Sequence, residues 1–567
     1  RMYSGSIGYE DDHIQVAEER QWLREAVESG RFFGGITAND KRDLLLRLTE
    51  VDTFEQFLQN TQPFQGEKRF SIEGCDVMVP VLDTIIRCTA QSGTCEVVMG
   101  MAHRGRLNVL AHVLGKPYEQ ILSEFLHNAH SQERAAVSGT SSPGYSGDVK
   151  YHKGYRRAYK DGGDYEMPIT LAPNPSHLEF VNPVVIGRAR AAQEERARPG
   201  TPAQDIKASL AVLIHGDAAF PGQGVVAETL NLSQLKGYTV GGTIHIIANN
   251  QVGFTTDPGD ARSTLYASDL AKGFEIPIVH VNADDALACI AVARMACAYH
   301  QRFGKDFLID LVGYRRLGHN ETDEPRFTQP LLYAKIDAHP RPREVWAAQL
   351  EKEGIVTKAE ADDMVKAVRA RLMAAREAVL AQPSPPSDPA NKPATAADGG
   401  MVPDEPASGA VARPVPAEVL RDLNTALFTF PEGFQPPDKL MRNFIGPRRN
   451  ALDAPEPKIE WAHAESLAFA SLLAEGTPIR LTGQDVERGT FTQRHLVFHD
   501  PNNGNTFTPV QNLPQAKAAF SIYNSPLSEQ ACMGFEYGYS IHATDTLVLW
   551  EAQFGDFANG AQVIIDQ

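Results

Sequence analysis

The chain has 567 residues, enough for roughly three or four domains or subdomains. Apolar residues make up 42% and charged residues 22%, the composition of a globular enzyme, which excludes a disordered or fibrous chain. The formal charge of −17 repels a phosphate backbone and excludes nucleic acid as the main partner.

Six cysteines (Cys75, Cys88, Cys95, Cys289, Cys297 and Cys532) show no C-x-x-C pair and no zinc-type spacing, which points to a reducing compartment. No apolar run reaches the roughly 18 to 20 residues of a membrane span. The acidic start RMYSGSIGYEDDH has no signal-peptide apolar region and no initiator Met, and the other end, AQVIIDQ, reads as a buried strand without a polar tail. Both ends are therefore expected to be cut.

In chain order, EERQWLREAVESG and KRDLLLRLTEVDTFEQFLQ place apolar residues at helical spacing, so residues 1–94 read as a helical segment and lead-in. Residues 95–381 alternate short apolar runs (CEVVMGMA, SLAVLIHG, GTIHIIANN, IPIVHVN, DFLIDLVGYR) with helical patterns such as DALACIAVARMACAYHQRFG. Strands apolar on both faces, separated by helices, predict an α/β domain with a mostly parallel sheet covered on both sides. Cys289 and Cys297, on that Ala-rich helix, read as small core residues. Residues 382–416 hold nine prolines and almost no large apolar side chain, and read as a linker or long mobile loop. A second α/β segment, residues 417–567, begins with the helical WAHAESLAFASLLAEG and strand-like TPIRLTGQD and DTLVLWEAQ.

Gly216-Asp217 follows the strand-like SLAVLIH, and Asn249-Asn250 ends the next strand-like run. Adjacent parallel strands lie about 5 Å apart, so Asp217 and Asn250 can reach one cation. The Asp217 carboxylate, the Asn250 amide oxygen and a backbone carbonyl such as that of Val252 form an oxygen donor set suited to Mg²⁺. Each piece alone is a common turn or loop. His103, with Arg104 and Arg106, falls at a strand-to-helix turn where anions are attracted, or else on an arginine-rich surface turn.

Gly-Asp, about 30 residues, then Asn-Asn resembles the diphosphate–metal motif of thiamin diphosphate enzymes. The wording HGDAAFPGQGVVAETLNLSQLKGYTVGG…IIANNQVGFTT resembles the E1 components of 2-oxoglutarate dehydrogenase complexes, with Ala218 where the wider superfamily often has Gly. Six further blocks support it in order: MAHRGRLNVLAHVLGKP, GDVKYHKG, LAPNPSHLEFVNPVVIG, YRRLGHNETDEPRFTQP, LTGQDVERGTFTQRH and NSPLSEQACMGFEYGYS. The resemblance implies two thiamin diphosphate-binding-fold domains, a diphosphate-binding domain followed by an incomplete pyrimidine-binding domain.

It also implies roles. His103 and His152 would face the cofactor's reactive carbon and the oxo acid, and His319, just past a strand, would line the same pocket. Glu529 would hydrogen-bond the aminopyrimidine and activate it; the plain alternative is an acid at a helix start. Phe557 would pack on the pyrimidine, or be a core aromatic. His177 and His495 are as readily structural as catalytic. Asp217, Ala218 and Asn250 would hold thiamin diphosphate, with Asp217, Asn250 and Val252 on Mg²⁺.

The implied activity is oxidative decarboxylation of 2-oxoglutarate, with succinyl transfer to the lipoyl group of E2 and indirect coupling to E3. The implied assembly is a homodimer in which Glu529 acts across the interface. The compartment is the cytoplasm if the source is bacterial and the mitochondrial matrix if it is eukaryotic. A 2-oxoadipate E1 shares these motifs, and the Lys150, His152, Lys153 cluster favours a dicarboxylate over pyruvate. A non-catalytic relative would have no chemical need for Asp217, Asn250 and Glu529 together. An unrelated nucleotide enzyme would require a G-x-x-x-x-G-K-[ST] loop, which is missing.

Overall fold

The computed structural model describes residues 3–125, 151–160, 166–381 and 414–567. The expected linker lies almost wholly outside the described residues. The chain forms two compact units: Arg1–Val185, Lys207–Gln234 and Val240–Gly400 make the first, and Ile186–Ile206, Leu235–Thr239 and Met401–Gln567 the second.

The first unit is built on an eight-stranded sheet. Its strands are β1 (Ile7–Glu10), β2 (Glu96–Met101), β3 (Tyr155–Lys160), β4 (Glu166–Leu171), β5 (Ser209–Gly216), β6 (Thr243–Asn249), β7 (Ile278–Asn282) and β8 (Phe307–Val312). The spatial order is β1-β7-β8-β6-β5-β2-β4-β3. The six inner strands run parallel, while β1 pairs with β7, and β3 with β4, in antiparallel fashion. The five expected strands of this unit are β2, β5, β6, β7 and β8. Residues of β6 are buried throughout, as are all of β5 except Gly216, because helices cover both faces. Each buried Val, Leu or Ile contributes about 1.5–3 kcal/mol.

Three strands were not legible: the edge strand β1 is a short piece inside the segment read as helical, the other edge β3 was not singled out, and its inner neighbour β4 contains Pro168. That proline lies opposite Ala158 of β3, beyond the stretch of β4 that pairs with β2. The helix Ala38–Asn60 begins with a capping box in which Thr37 and Asp40 bond each other's backbone N–H. The helix Ala286–Phe303 is capped by Asp285 and stopped by left-handed Gly304, and it buries Cys289 and Cys297 as expected.

The second unit has a three-stranded parallel sheet with β9 (Ile479–Gly483) between β10 (Phe520–Asn524) and β11 (Leu547–Glu551). The helices Trp461–Glu475 and Gln530–His542 accompany it. Arg480, the second residue of β9, is fully buried. Its guanidinium donates to both oxygens of Glu536 (2.7 and 2.9 Å) and to the Gly237 carbonyl (2.7 Å). Tyr539 donates to Glu194 at 2.5 Å. These bonds explain why 186–206 and 235–239, far away in sequence, compact with this unit.

The C-terminal AQVIIDQ is a correction: Gln562–Asp566 is a short helix after a 3₁₀ turn, with none of its residues buried. A brief apolar run does not distinguish helix from strand by itself. Among the described residues no helix is long and apolar enough to cross a membrane.

Gly187 shows how tightly the second unit packs. A Cβ there would stand 1.9 Å from the Phe535 carbonyl oxygen. Gly187→Ala is expected to destabilise the protein by about 1–3 kcal/mol, since backbone must move to admit one methyl. A thermal unfolding midpoint unchanged from the parent would show that the Gly187 and Phe535 backbones separate freely.

Candidate cofactor and active site

The C-terminal edge of the first unit's sheet opens on a cavity of about 430 Å³. Asp217 follows β5 and Asn250 follows β6, and these strands are direct neighbours with Gly216 opposite Ala248. Asp217 is 3% exposed. Its carboxylate accepts from its own backbone N–H and from that of Asn250. Burial nevertheless pushes the Asp217 carboxyl up to about 6. An acid desolvated this strongly gains most from a cation. The Asn250 side-chain oxygen accepts from the Val252 N–H at 3.3 Å, fixing the turn that carries the Val252 carbonyl. Left-handed Gln251 (φ 63°) completes that turn and donates to the Gly313 carbonyl at 2.6 Å. The donors are all oxygens, from one carboxylate, one amide and a backbone carbonyl, and suit Mg²⁺.

Ala218 also lines the cavity. A Cβ built on Gly253 would come within 3.3 Å of the Ala218 methyl, so the two backbones approach as closely as small residues permit.

The histidines arrive from the flanking strands. His103 lies beyond the end of β2, next to β5, and His319 lies beyond β8, next to β6. Both line the cavity. The Phe70 ring joins them, with its centroid 5.2 Å from that of His103 and 5.3 Å from that of His319. Asn174 Nδ2 lies 3.3 Å from His103 Nδ1 and 3.1 Å from the Pro175 carbonyl, which sets the amide's orientation. His103 then accepts at Nδ1 and holds its proton on Nε2. His152 does not line the cavity but stands beside His103, at 5.1 Å between centroids, with Nε2 3.2 Å from Ser176 Oγ.

His319 is held by Arg104, whose Nη2 lies 3.0 Å from the His319 carbonyl and 3.4 Å from Nδ1. A guanidinium only donates, so Nδ1 accepts and the neutral ring carries its proton on Nε2. Burial, then Arg104 and Arg315, push the ring's pKa from 6.5 down to about 3. Between those values the unfolded chain binds a proton that the folded ring refuses, so this contribution weakens the fold as pH drops below 6.5. NMR of labelled histidine is expected to show no His319 titration between about pH 8 and pH 5; a midpoint near 6.5 would contradict this environment.

One expectation about a basic residue changes. Arg106 is fully buried and donates to the Met101, Lys153 and Ala172 carbonyls, so it pins the turn rather than attracting an anion. In the basic cluster, Lys150 lies outside the described residues and Lys153 pairs with Glu124 at 3.2 Å. His177 is exposed at the surface, and His495 contacts the Thr492 carbonyl (3.0 Å) and the Phe444 ring. Sequence reasoning missed Lys68, Phe70, Asn174 and Arg315, of which Lys68 and Phe70 sit in no block that singles them out.

In the second unit, Glu529 immediately precedes the helix Gln530–His542, where a helix start was expected, but its side chain makes no cap. Instead Gln484 Nε2 donates to Glu529 Oε1 at 2.8 Å. Gly560 backs the carboxylate so closely that a Cβ there would lie 3.2 Å from Oε2. Phe557 is 49% exposed, with its ring 6.3 Å from that of Phe554.

Residues 73–388 match the family model described as "Dehydrogenase E1 component". The chain belongs to this E1 family. Residues 457–567 of this E1 chain match "Transketolase, pyrimidine binding domain". The two matches together indicate thiamin diphosphate as cofactor, with the Mg²⁺ typical of the family. Curated relatives include the "2-oxoglutarate dehydrogenase E1 component" of Geobacillus kaustophilus, 54% identical over 572 residues, all of this chain and 58% of the relative. The Bacillus subtilis protein of the same name is 54% identical over 570 residues, and that of Shouchella clausii 51% over 568, each with 59% of the relative covered. The E1 chain thus spans a little under three fifths of these relatives.

Proposed function

We propose that the protein carrying this chain decarboxylates 2-oxoglutarate oxidatively and passes the succinyl group to the lipoyl arm of an E2 partner, with E3 reoxidising that arm. The observation that carries this reading is the single cavity lined by both the Asp217–Asn250 oxygen donors and the His103 and His319 rings. Thiamin diphosphate, when bound, supplies the carbanion and the electron sink.

Asp217, Asn250 and the Val252 carbonyl hold the metal, and Ala218 leaves room for the diphosphate. His103 and His319 present Nε2–H donors toward the oxo acid, which favours a substrate whose oxygen gains negative charge during reaction. His152, held by Ser176, buttresses His103 and is the reserve proton carrier. Glu529 accepts a hydrogen bond from the aminopyrimidine, and Phe557 covers that ring. A homodimer would present Glu529 and Phe557 of one subunit to the first unit of its partner. The bacterial sources of the relatives favour the cytoplasm over the mitochondrial matrix.

The test is reduction of an artificial electron acceptor by the intact protein with thiamin diphosphate and Mg²⁺, supplied in parallel with 2-oxoglutarate, 2-oxoadipate or pyruvate. A preference for 2-oxoglutarate is expected. A preference for 2-oxoadipate would retain every role above and change the substrate, while no cofactor-dependent turnover with any of the three would reject the reading.

A further inference from the structure

A row of polar side chains crosses the apolar sheet of the first unit and ends at the Asn250 turn. It begins on the edge strand β1, where a Glu10 carboxylate oxygen pairs with Nε2 of His280, on β7, at 3.3 Å. His280 lies directly opposite Asp310 of β8, and its Nδ1 stands 2.7 Å from Asp310 Oδ2. The other oxygen, Oδ1, accepts from Asn249 Nδ2, at the end of β6, at 2.9 Å. That bond fixes the Asn249 amide, whose own oxygen accepts from the Gln251 N–H at 3.1 Å. The last contact holds left-handed Gln251 in the turn between Asn250 and Val252.

Asp310 is 1% exposed, and a carboxylate so deep in a sheet is costly unless it is paired. An apolar side chain would hold β8 without that cost, so the row calls for a reason beyond packing. His280 has a carboxylate at each ring nitrogen, and only the imidazolium donates to both. Burial opposes that charge, but Asp310 and Glu10 outweigh it and raise the ring above its ordinary 6.5. Beside it stand the Tyr266 ring, at 4.4 Å between centroids, and Lys272, which binds Glu10 at 3.1 Å and Asp269 at 2.7 Å. We propose that His280 is a positioning residue for the metal turn, acting through Asp310 and Asn249 to preorganise Asn250 and the Val252 carbonyl for the cation. This inference rests on the reading of Asp217, Asn250 and Val252 as the metal set and extends it to the side chains that hold the set in place.

The test measures thiamin diphosphate affinity by isothermal titration at fixed Mg²⁺. It compares the intact protein with His280→Leu, His280→Asn, Asn249→Ala and the double variant His280→Leu/Asn249→Ala. His280→Leu is expected to weaken cofactor binding about tenfold to a hundredfold, the usual worth of a residue that orients a metal ligand. Turnover at saturating cofactor should stay within about twofold, because Glu10, His280, Asp310 and Asn249 lie outside the described lining of the cavity. His280→Asn is expected to recover much of the affinity, since its amide can donate to Asp310 from near the Nδ1 position. In Asn249→Ala the relay is already cut, so adding His280→Leu should cost little more. Fully additive losses in the double variant would overturn the proposal. So would a lowered melting point in His280→Leu with cofactor affinity unchanged. Should Asn249→Ala fail to fold, the contrast between His280→Leu and His280→Asn decides alone, and equal losses in both would overturn the role. Failure of the metal reading itself is seen separately, as parental cofactor affinity in Asp217→Ala.

Discussion

Asp217→Ala is expected to lower affinity for thiamin diphosphate in saturating Mg²⁺ by more than about a hundredfold. Loss of a residue that merely orients a metal ligand already costs about 10- to 100-fold, and Asp217 is the one charged ligand in the proposed set. The structural reason is specific. The carboxylate is almost wholly buried and receives backbone N–H groups from two strand ends, so its oxygens are aimed before any metal arrives. Preorganisation of this kind comes with a penalty in the metal-free protein, where burial raises the carboxyl from 3.8 to about 6.

Between those two values the folded state binds the proton more readily than the unfolded chain, so this group's contribution favours folding increasingly as pH falls through 6 toward 3.8. Asp217→Ala removes the desolvated charge. Metal-free Asp217→Ala should therefore melt no lower than the parent at pH 7, while the parent's gain on mild acidification should be missing from the variant. Isothermal titration with the cofactor and thermal melts across pH read the two effects separately. Unchanged cofactor affinity in the variant would refute the metal assignment; normal loss of affinity with a large drop in metal-free stability would instead mark Asp217 as structural.

What could be read before the structure follows from locality. Asp217 and Asn250 were legible because each sits one residue past a strand that announces itself by an unbroken apolar run. Parallel pairing then brings the two strand ends together without further information. Glu529 was legible at two levels, as a helix start and through a block resemblance, and it does stand at the helix start. Lys68, Phe70 and Asn174 were not legible, since their loops reach the site only through tertiary packing. The second unit's claim on residues 186–206 and 235–239 was equally hidden. It depends on Arg480 meeting the Gly237 carbonyl and on Tyr539 meeting Glu194, pairings no local pattern encodes. Arg106 misled because an arginine at a turn is read as a surface cation, whereas here three backbone carbonyls satisfy it in the interior.

Glu529→Gln is expected to retain thiamin diphosphate within a few-fold of the parent affinity while turnover falls by about 10²- to 10⁴-fold, the usual worth of a positioned acid or base. The substitution preserves volume, so the close approach of Gly560 remains tolerable. What changes is hydrogen-bond polarity. Gln484 presents its amide N–H to Oε1 of Glu529, and in the proposed activation role Oε2 would be the acceptor for a cofactor ring N–H. A glutamine must satisfy the same Gln484 donor with its only side-chain oxygen, so its NH₂ group points where Oε2 stood. Two donors then face each other, and the protonated ring that activation requires loses its support. Gln484→Leu should have the opposite character: it frees Oε1 but keeps the carboxylate, so activity should fall far less than in Glu529→Gln. Circular dichroism of the bound cofactor, read alongside steady-state rates, separates retention from activation. A Glu529→Gln protein with parental turnover would remove Glu529 from the activation role, whereas one that no longer holds the cofactor would make the carboxylate a binding group.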